Sequence, residues 1–150
     1  MSSDEMFMAE ALDLARQAES AGEVPVGAVL VVHGRVRGRG FNSPIRLLDP
    51  TAHAEILAMR EAAANISNYR LEGATLYSTL EPCVMCAGAL VAARVGRLVF
   101  GSRDLRFGGV RSKFRLADSD ILNHRLEVVE GICGAECLAL VKNFFEGKRG

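Results

Sequence analysis

ATLYSTLEPCVMCAGALVAA, residues 74–93, changes its periodicity once. Ala74 to Thr79 reads as a strand. Glu81-Pro82 then opens a short helix through Ala93, because proline's missing N–H costs nothing in a first helical turn. A strand running straight into a helix is the unit of an alternating α/β chain. Towards the C-terminus, Arg97 to Gly101 is another strand, a long basic loop follows, Leu126 to Glu130 is a fifth strand, and Ala135 to Phe145 is a terminal helix. Towards the N-terminus, Asp49-Pro50 supplies an N-cap and first-turn pair for a helix to about Asn65, with His53 and Glu55 near its start. Asn42 to Asp49, which contains Pro44, reads as a loop. Val26 to Val32 and Arg35 to Phe41 form a hairpin about His33-Gly34, its first strand buried on both faces. Ser2-Ser3-Asp4-Glu5 offers a capping box ahead of Phe7, Met8, Ala11, Leu12, Ala15 and Ala18 at helical spacing, so the first helix runs to about Ala21, where Gly22 can stop it. This alternation implies an α/β layer sandwich. No repeat, low-complexity tract or long linker divides the chain, and residues 1–150 read as a single domain.

Apolar residues make up 49% and charged residues 24%, a balance that supports a folded core and argues against disorder. No stretch approaches the ~18 uninterrupted apolar residues of a membrane span, and the acidic N-terminus does not read as a secretory leader, so a cytoplasmic protein with no membrane partner is expected. The net charge is zero, but its distribution is uneven. Met1 to Glu23 carries six acids against Arg16 alone, while Arg94 to Arg115 carries seven bases against Asp104 alone. That second segment is either a phosphate-facing surface or a solvated face without a partner.

Four cysteines stand at 83, 86, 133 and 137. In a reducing compartment disulfides are not expected, which leaves metal binding or core packing. For Cys83 and Cys86 the surroundings favour metal. His53-Ala54-Glu55 and Pro82-Cys83-Val84-Met85-Cys86 spell H-x-E and P-C-x-x-C, each half opening a predicted helix. Cysteines three apart on a helix share one face, and the positive helix end favours their thiolates. One imidazole and two thiolates suit Zn²⁺, and three protein ligands leave a tetrahedral position open, as catalysis requires and a structural zinc site does not. A redox C-x-x-C would leave His53 and Glu55 without a role. Glu55, not a ligand in this pattern, is free to move protons as a general acid and base.

These motifs, with Glu23-Val24-Pro25-Val26-Gly27-Ala28-Val29, Asn68-Tyr69-Arg70-Leu71, Phe100-Gly101-Ser102-Arg103-Asp104 and Asn123-His124-Arg125, resemble the tRNA-specific adenosine deaminase family (TadA) of the cytidine deaminase-like superfamily. The resemblance covers most of the chain. It implies a three-layer α/β/α sandwich around a five-stranded mixed sheet, a homodimer, and a hydrolase that edits RNA by converting the wobble adenosine of a tRNA anticodon stem-loop to inosine. It implies His53, Cys83 and Cys86 as ligands of one Zn²⁺ per subunit and Glu55 as the catalytic proton shuttle. Asn42 matches an asparagine that hydrogen-bonds the base, and the backbone of Ala54 and Cys83 would line the reacting centre. Arg103, Asp104, Asn123 and His124 match segments at the RNA-facing mouth. Taken alone, Asn42 is equally a turn asparagine.

The loop Leu105 to Arg115 is more basic than is usual in that family. Its interleaved bases and aromatics suit stacking on unpaired nucleotides with phosphate contacts. The alternative makes Phe107 and Phe114 core residues and the arginines solvated. A deaminase of a free base or nucleoside, of guanine or cytosine type, is the competing activity. Cys133 and Cys137 read as core packing, His33 as a surface residue, and Phe144 and Phe145 as core-facing anchors.

Overall fold

The computed structural model describes residues 1–149. Helix α1 (Ser3–Ser20) starts on the capping box: Glu5 N–H donates to Ser2 Oγ and Ser2 N–H donates to the Glu5 carboxylate, both at 3.1 Å. Strands β1 (Gly27–Val32) and β2 (Arg35–Phe41) form the hairpin, and His33 and Gly34 both take the left-handed backbone, φ 50° and 73°, that a two-residue turn of matching twist demands. There follow α2 (Pro44–Leu47), α3 (Ala54–Ile66), β3 (Thr75–Leu80), α4 (Val84–Ala92), β4 (Arg97–Ser102), β5 (Glu127–Glu130) and α5 (Gly134–Arg149).

The five strands make one mixed sheet in the order β2-β1-β3-β4-β5. β1 is antiparallel to β2 and β3, whereas β3, β4 and β5 run parallel. Side chains alternate across β1 and divide the core in two. Ala28 and Leu30 join Leu76, Leu98 and Phe100 under α3 and α4. Val29 and Val31 join Tyr77 and Val99 under α1, with Cys137 of α5. The result is the three-layer α/β/α sandwich implied by the resemblance.

Of the boundaries that differ from the sequence reading, three lie in the segments leading to the site. The helix expected to open at Asp49-Pro50 begins at Ala54, with His53 as its N-cap. Asp49 Oδ1 instead accepts from Thr51 N–H at 2.9 Å and Thr51 Oγ1 at 2.7 Å, a side-chain-closed turn that holds Pro50 outside the helix. Residues 42–49 contain the single-turn α2, with Pro44 in its first turn. Its N-terminus is capped from a distance: the buried Glu23 carboxylate accepts from Ile45 N–H at 3.2 Å and Arg46 N–H at 2.7 Å. Finally, α4 begins at Val84 with Cys83 as N-cap, so Glu81 and Pro82 lie before it.

Helix α3 lies directly on the β2 backbone. A Cβ at Gly38 would overlap the Ala58 carbonyl oxygen, and one at Gly40 that of Ala54.

Asp4 ties α1 to the sheet. Its carboxylate accepts from Tyr77 Oη at 2.6 Å and from both Arg97 Nη atoms at 2.8 Å. The Arg97 hydrogen bonds are the main reason its carboxyl is held down at about 2. A depressed carboxyl stabilises the fold fully above the unfolded value of ~3.9 and loses that contribution as pH falls through the folded value. Asp4→Ala is expected to cost about 2 kcal/mol at neutral pH in urea unfolding. The gap to wild type should shrink by roughly half at pH ~3. A gap independent of pH would mean that the ion pair does not carry the effect.

Candidate active site

The carboxyl ends of parallel β3 and β4 reach the same edge, where Leu80 pairs with Ser102. In open α/β sheets ligands bind beyond such ends. Two helices start there, and each places a chemical side chain at its N-cap: His53 on α3 and Cys83 on α4. Cys86 follows in the first turn of α4, fully buried.

His53 Nδ1 lies 3.5 Å from Cys83 Sγ and 3.5 Å from Cys86 Sγ, and the three atoms fall within 4.8 Å of one another. Bonds of ~2.3 Å to sulfur and ~2.05 Å to nitrogen at a tetrahedral angle require about 3.6 Å between sulfur and nitrogen, so the donor set fits zinc. The thiols are already differentiated. The hydrogen bond from Cys86, then that of His53, pulls the Cys83 thiol down to about 4, while the same bond to Cys83 and burial push Cys86 up. His53 is raised, first by its hydrogen bond with Cys83.

Glu55, two residues beyond the His53 cap, is 4% exposed. Burial pushes its carboxyl up to about 7, against the opposing pull of its own backbone N–H and of His53. A carboxyl poised near neutrality suits both taking and returning a proton.

These groups sit in a cavity of about 680 Å³, with Asn42, His53, Glu55 and Cys83 in its lining. Leu105 and Phe107 of the basic loop and Leu138, Val141 and Phe145 of α5 also line it. Phe145 is thus part of a cavity wall rather than the core-facing anchor expected, because α5 runs past it to Arg149 and turns that face towards the site. Cys137 is buried against α1, with Cys133 packed beside it.

The expected rim residues divide. Arg103 and Asp104 line the cavity, although both have internal partners. Arg103 donates to Glu130 at 2.8 and 3.1 Å, and the Asp104 carboxylate accepts from the N–H groups of Arg106 and Phe107 at 3.1 and 3.2 Å. Ala54 is buried at the start of α3. The structure does not bring Asn123 and His124 to the cavity lining. His124 Nε2 donates to the Val95 carbonyl at 2.7 Å, just before Arg97 opens β4, whereas the cavity lies beyond Ser102 at the other end of that strand.

The basic loop places its aromatics outside the core, Phe107 being 63% and Phe114 57% exposed. Part of its charge is neutralised internally, since Arg111 donates to both Asp118 oxygens at 3.0 Å and Arg115 reaches the same carboxylate at 3.4 Å.

Glu81 was not legible as a site residue. It is 2% exposed, and its carboxylate accepts from the N–H groups of Asp104, Val110, Arg111 and Ser112 at 2.7–3.0 Å and from the Ser112 hydroxyl. Burial alone would raise this carboxyl, but the Ser112 hydroxyl and the backbone donors outweigh it and hold it below its ordinary value. Gly108 packs against the carboxylate with no room for a Cβ and pairs with Cys83 in an isolated β-bridge. Glu81 therefore fastens the loop to the turn that carries the ligands. Its partners lie 23–31 residues away, beyond the reach of local pattern.

Two helix starts that aim an imidazole and two cysteine sulfurs at one point beside a buried carboxyl are the working parts of a zinc-binding deaminase. Consistent with this, residues 1–102 match the family model of the cytidine and deoxycytidylate deaminase zinc-binding region. The chain is 51% identical over 147 residues to the tRNA-specific adenosine deaminase of Haemophilus influenzae, covering 97% of this chain and 85% of that protein. Within the zinc-binding deaminases, it belongs to the family of tRNA-specific adenosine deaminases. A solved structure from work on tRNA:A34 deaminases, which carry out A-to-I editing at the wobble position of transfer RNA, superimposes with a TM-score of 0.87 at 44% identity, covering 90% of this chain and 98% of that one. A guanine deaminase from Nitrosomonas europaea superimposes with a TM-score of 0.82 at 25% identity, covering 93% and 83%.

Proposed function

We propose that this chain, acting as one domain, hydrolytically deaminates adenosine to inosine at the wobble position of a tRNA anticodon. The observation that carries this reading is the His53, Cys83 and Cys86 donor set beside buried Glu55, in a cavity rimmed by exposed Phe107 and Arg106. The 51% identity over 97% of the chain to a tRNA-specific adenosine deaminase, against 38% over 66% of the chain to a guanine deaminase from Bacillus subtilis, favours RNA over a free base.

His53, Cys83 and Cys86 would hold one zinc ion per subunit. A zinc ion there would supply Lewis acidity and make a water molecule more acidic near neutral pH. Glu55 takes the proton from the attacking water, returns a proton to the ring nitrogen, and helps the amine leave as ammonia. The Asn42 amide has a donor and an acceptor for a purine edge. Arg103 and Asp104 shape the rim, as does the backbone at Ala54 and Cys83 at the reacting centre. A homodimer is part of the proposal, supported by the exposed apolar side chains Ile45 and Leu48 at α2 and Val84 and Met85 at α4. So is a cytoplasmic location, where the substrate RNA and reduced thiols coexist. Among the described residues no helix is long and apolar enough to cross a membrane.

The test is inosine formation in an anticodon stem-loop with adenosine at the wobble position, by zinc-loaded protein. Phosphate contacts should make KM rise roughly 20-fold between about 50 and 200 mM salt, as expected for about three neutralised phosphates on a single strand. Absence of inosine, with salt-insensitive turnover of guanine or cytosine, would transfer the site to a free base.

A further inference from the structure

We propose that Phe107 is a stacking platform for one of the two nucleotides flanking the target adenosine, a specificity determinant built into the rim of this cavity. The inference rests on the wobble-deamination reading and adds to it a site for a second base.

Phe107 lines the cavity, yet its side chain is left 63% exposed. A phenylalanine so placed forgoes the stabilisation that burial would bring. Its backbone is nevertheless firmly held. The Asp104 carboxylate accepts from the Arg106 and Phe107 N–H groups, and Gly108 N–H donates to the Asp104 carbonyl at 2.9 Å, closing a tight turn around the aromatic. Just beyond it, Gly108 bridges to Cys83 and Gly109 N–H donates to the Pro82 carbonyl at 2.8 Å. Glu81 clamps both sides of this turn through Asp104 and residues 110–112. The backbone that carries the ring is thus fixed relative to the turn bearing Cys83, so that only the two side-chain torsions of Phe107 remain to be ordered on binding.

The chemistry of the reaction supplies the occupant. Deamination requires the adenosine to leave its stack, which strips its neighbours of a stacking face. An exposed ring beside the entrance replaces that face whatever the base, because every base presents a π-surface. The Arg106 guanidinium, 5.7 Å from the Phe107 ring centroid, adds a cation next to where the flanking phosphate must pass.

The test measures kcat and KM for wild type, Phe107→Ala and Phe107→Tyr at equal zinc content. Three wobble-adenosine stem-loops serve as substrates: one intact, one abasic on the 5′ side of the target, and one abasic on the 3′ side. On the intact substrate Phe107→Ala should raise KM by ~10- to 100-fold, the range of base–aromatic stacking, with kcat within about threefold, and Phe107→Tyr should restore KM. On one of the two abasic substrates the difference between wild type and Phe107→Ala should disappear. An unchanged KM in Phe107→Ala overturns the platform while leaving wobble deamination standing. A KM increase of equal size on all three substrates also overturns it, since a merely structural defect would not distinguish them. If wild type forms no inosine on the intact substrate, the parent reading fails instead.

Discussion

Glu55→Ala is expected to lower kcat for inosine formation by about 10²- to 10⁴-fold, the usual contribution of a positioned general acid and base. Zinc content should be unaffected. The carboxylate is not one of the three donor atoms that come within 4.8 Å of one another, so removing it takes no ligand away. Glu55 is held by its place in α3: His53 caps the helix, and the first turn carries the Glu55 side chain into the cavity. Glu55→Gln separates proton transfer from size and polarity, because the amide keeps the shape but cannot accept and return a proton. It should be as slow as the alanine variant. The measurements are single-turnover rates on the stem-loop and metal content of the same samples. Wild-type-like turnover in a zinc-replete Glu55→Ala protein would transfer the proton to another group. Loss of zinc would make the residue a ligand.

The second large effect is structural. Glu81→Ala should destabilise the protein by at least about 3 kcal/mol, because it leaves four backbone N–H groups and a hydroxyl without their common acceptor. For a chain of this length that corresponds to a fall in Tm of roughly 10 °C. Glu81→Gln should rescue only partly, since one amide oxygen cannot replace two carboxylate oxygens and the NH₂ group faces donors. Hydrogen exchange reads the effect locally: the amides of Val110, Arg111 and Ser112 should lose protection before those of β1. An unchanged Tm would show that the loop has another anchor.

The parts of this protein that were legible in its sequence are those governed by neighbours in the chain. The Ser2/Glu5 capping box, the His33-Gly34 turn and the buried β1 strand are local patterns, and each appears as read. The cysteine spacing worked for the same reason, since residues three apart on a helix necessarily share a face. Where the structure departs from the sequence reading, the partner is either far along the chain or one of two competing local ones. The cap of α2 comes from Glu23, about twenty residues upstream, so residues 42–49 looked like simple loop. At Asp49 two local devices compete, a helix cap and a side-chain-closed turn, and the hydroxyl of Thr51 tips the balance to the turn. That choice moves the helix start to Ala54 and makes His53 its cap, a sharper placement than the motif alone implied. His124 is a further case: beside familiar motif neighbours, it is taken up by a backbone carbonyl 29 residues away at the far end of β4.

The contact of α3 on β2 has a consequence for how this site can change. Because Gly38 and Gly40 let the helix rest against bare strand, any side chain there would push His53 and Glu55 out of alignment together. That wall behaves like a machine bed, tolerating almost no drift. The opposite wall, made by the loop with Phe107 and by α5 with Phe145, is assembled from protruding side chains that can be exchanged without moving a helix axis. Mutational divergence and laboratory retuning of substrate choice should therefore accumulate on that wall, while the chemistry stays where the glycines put it.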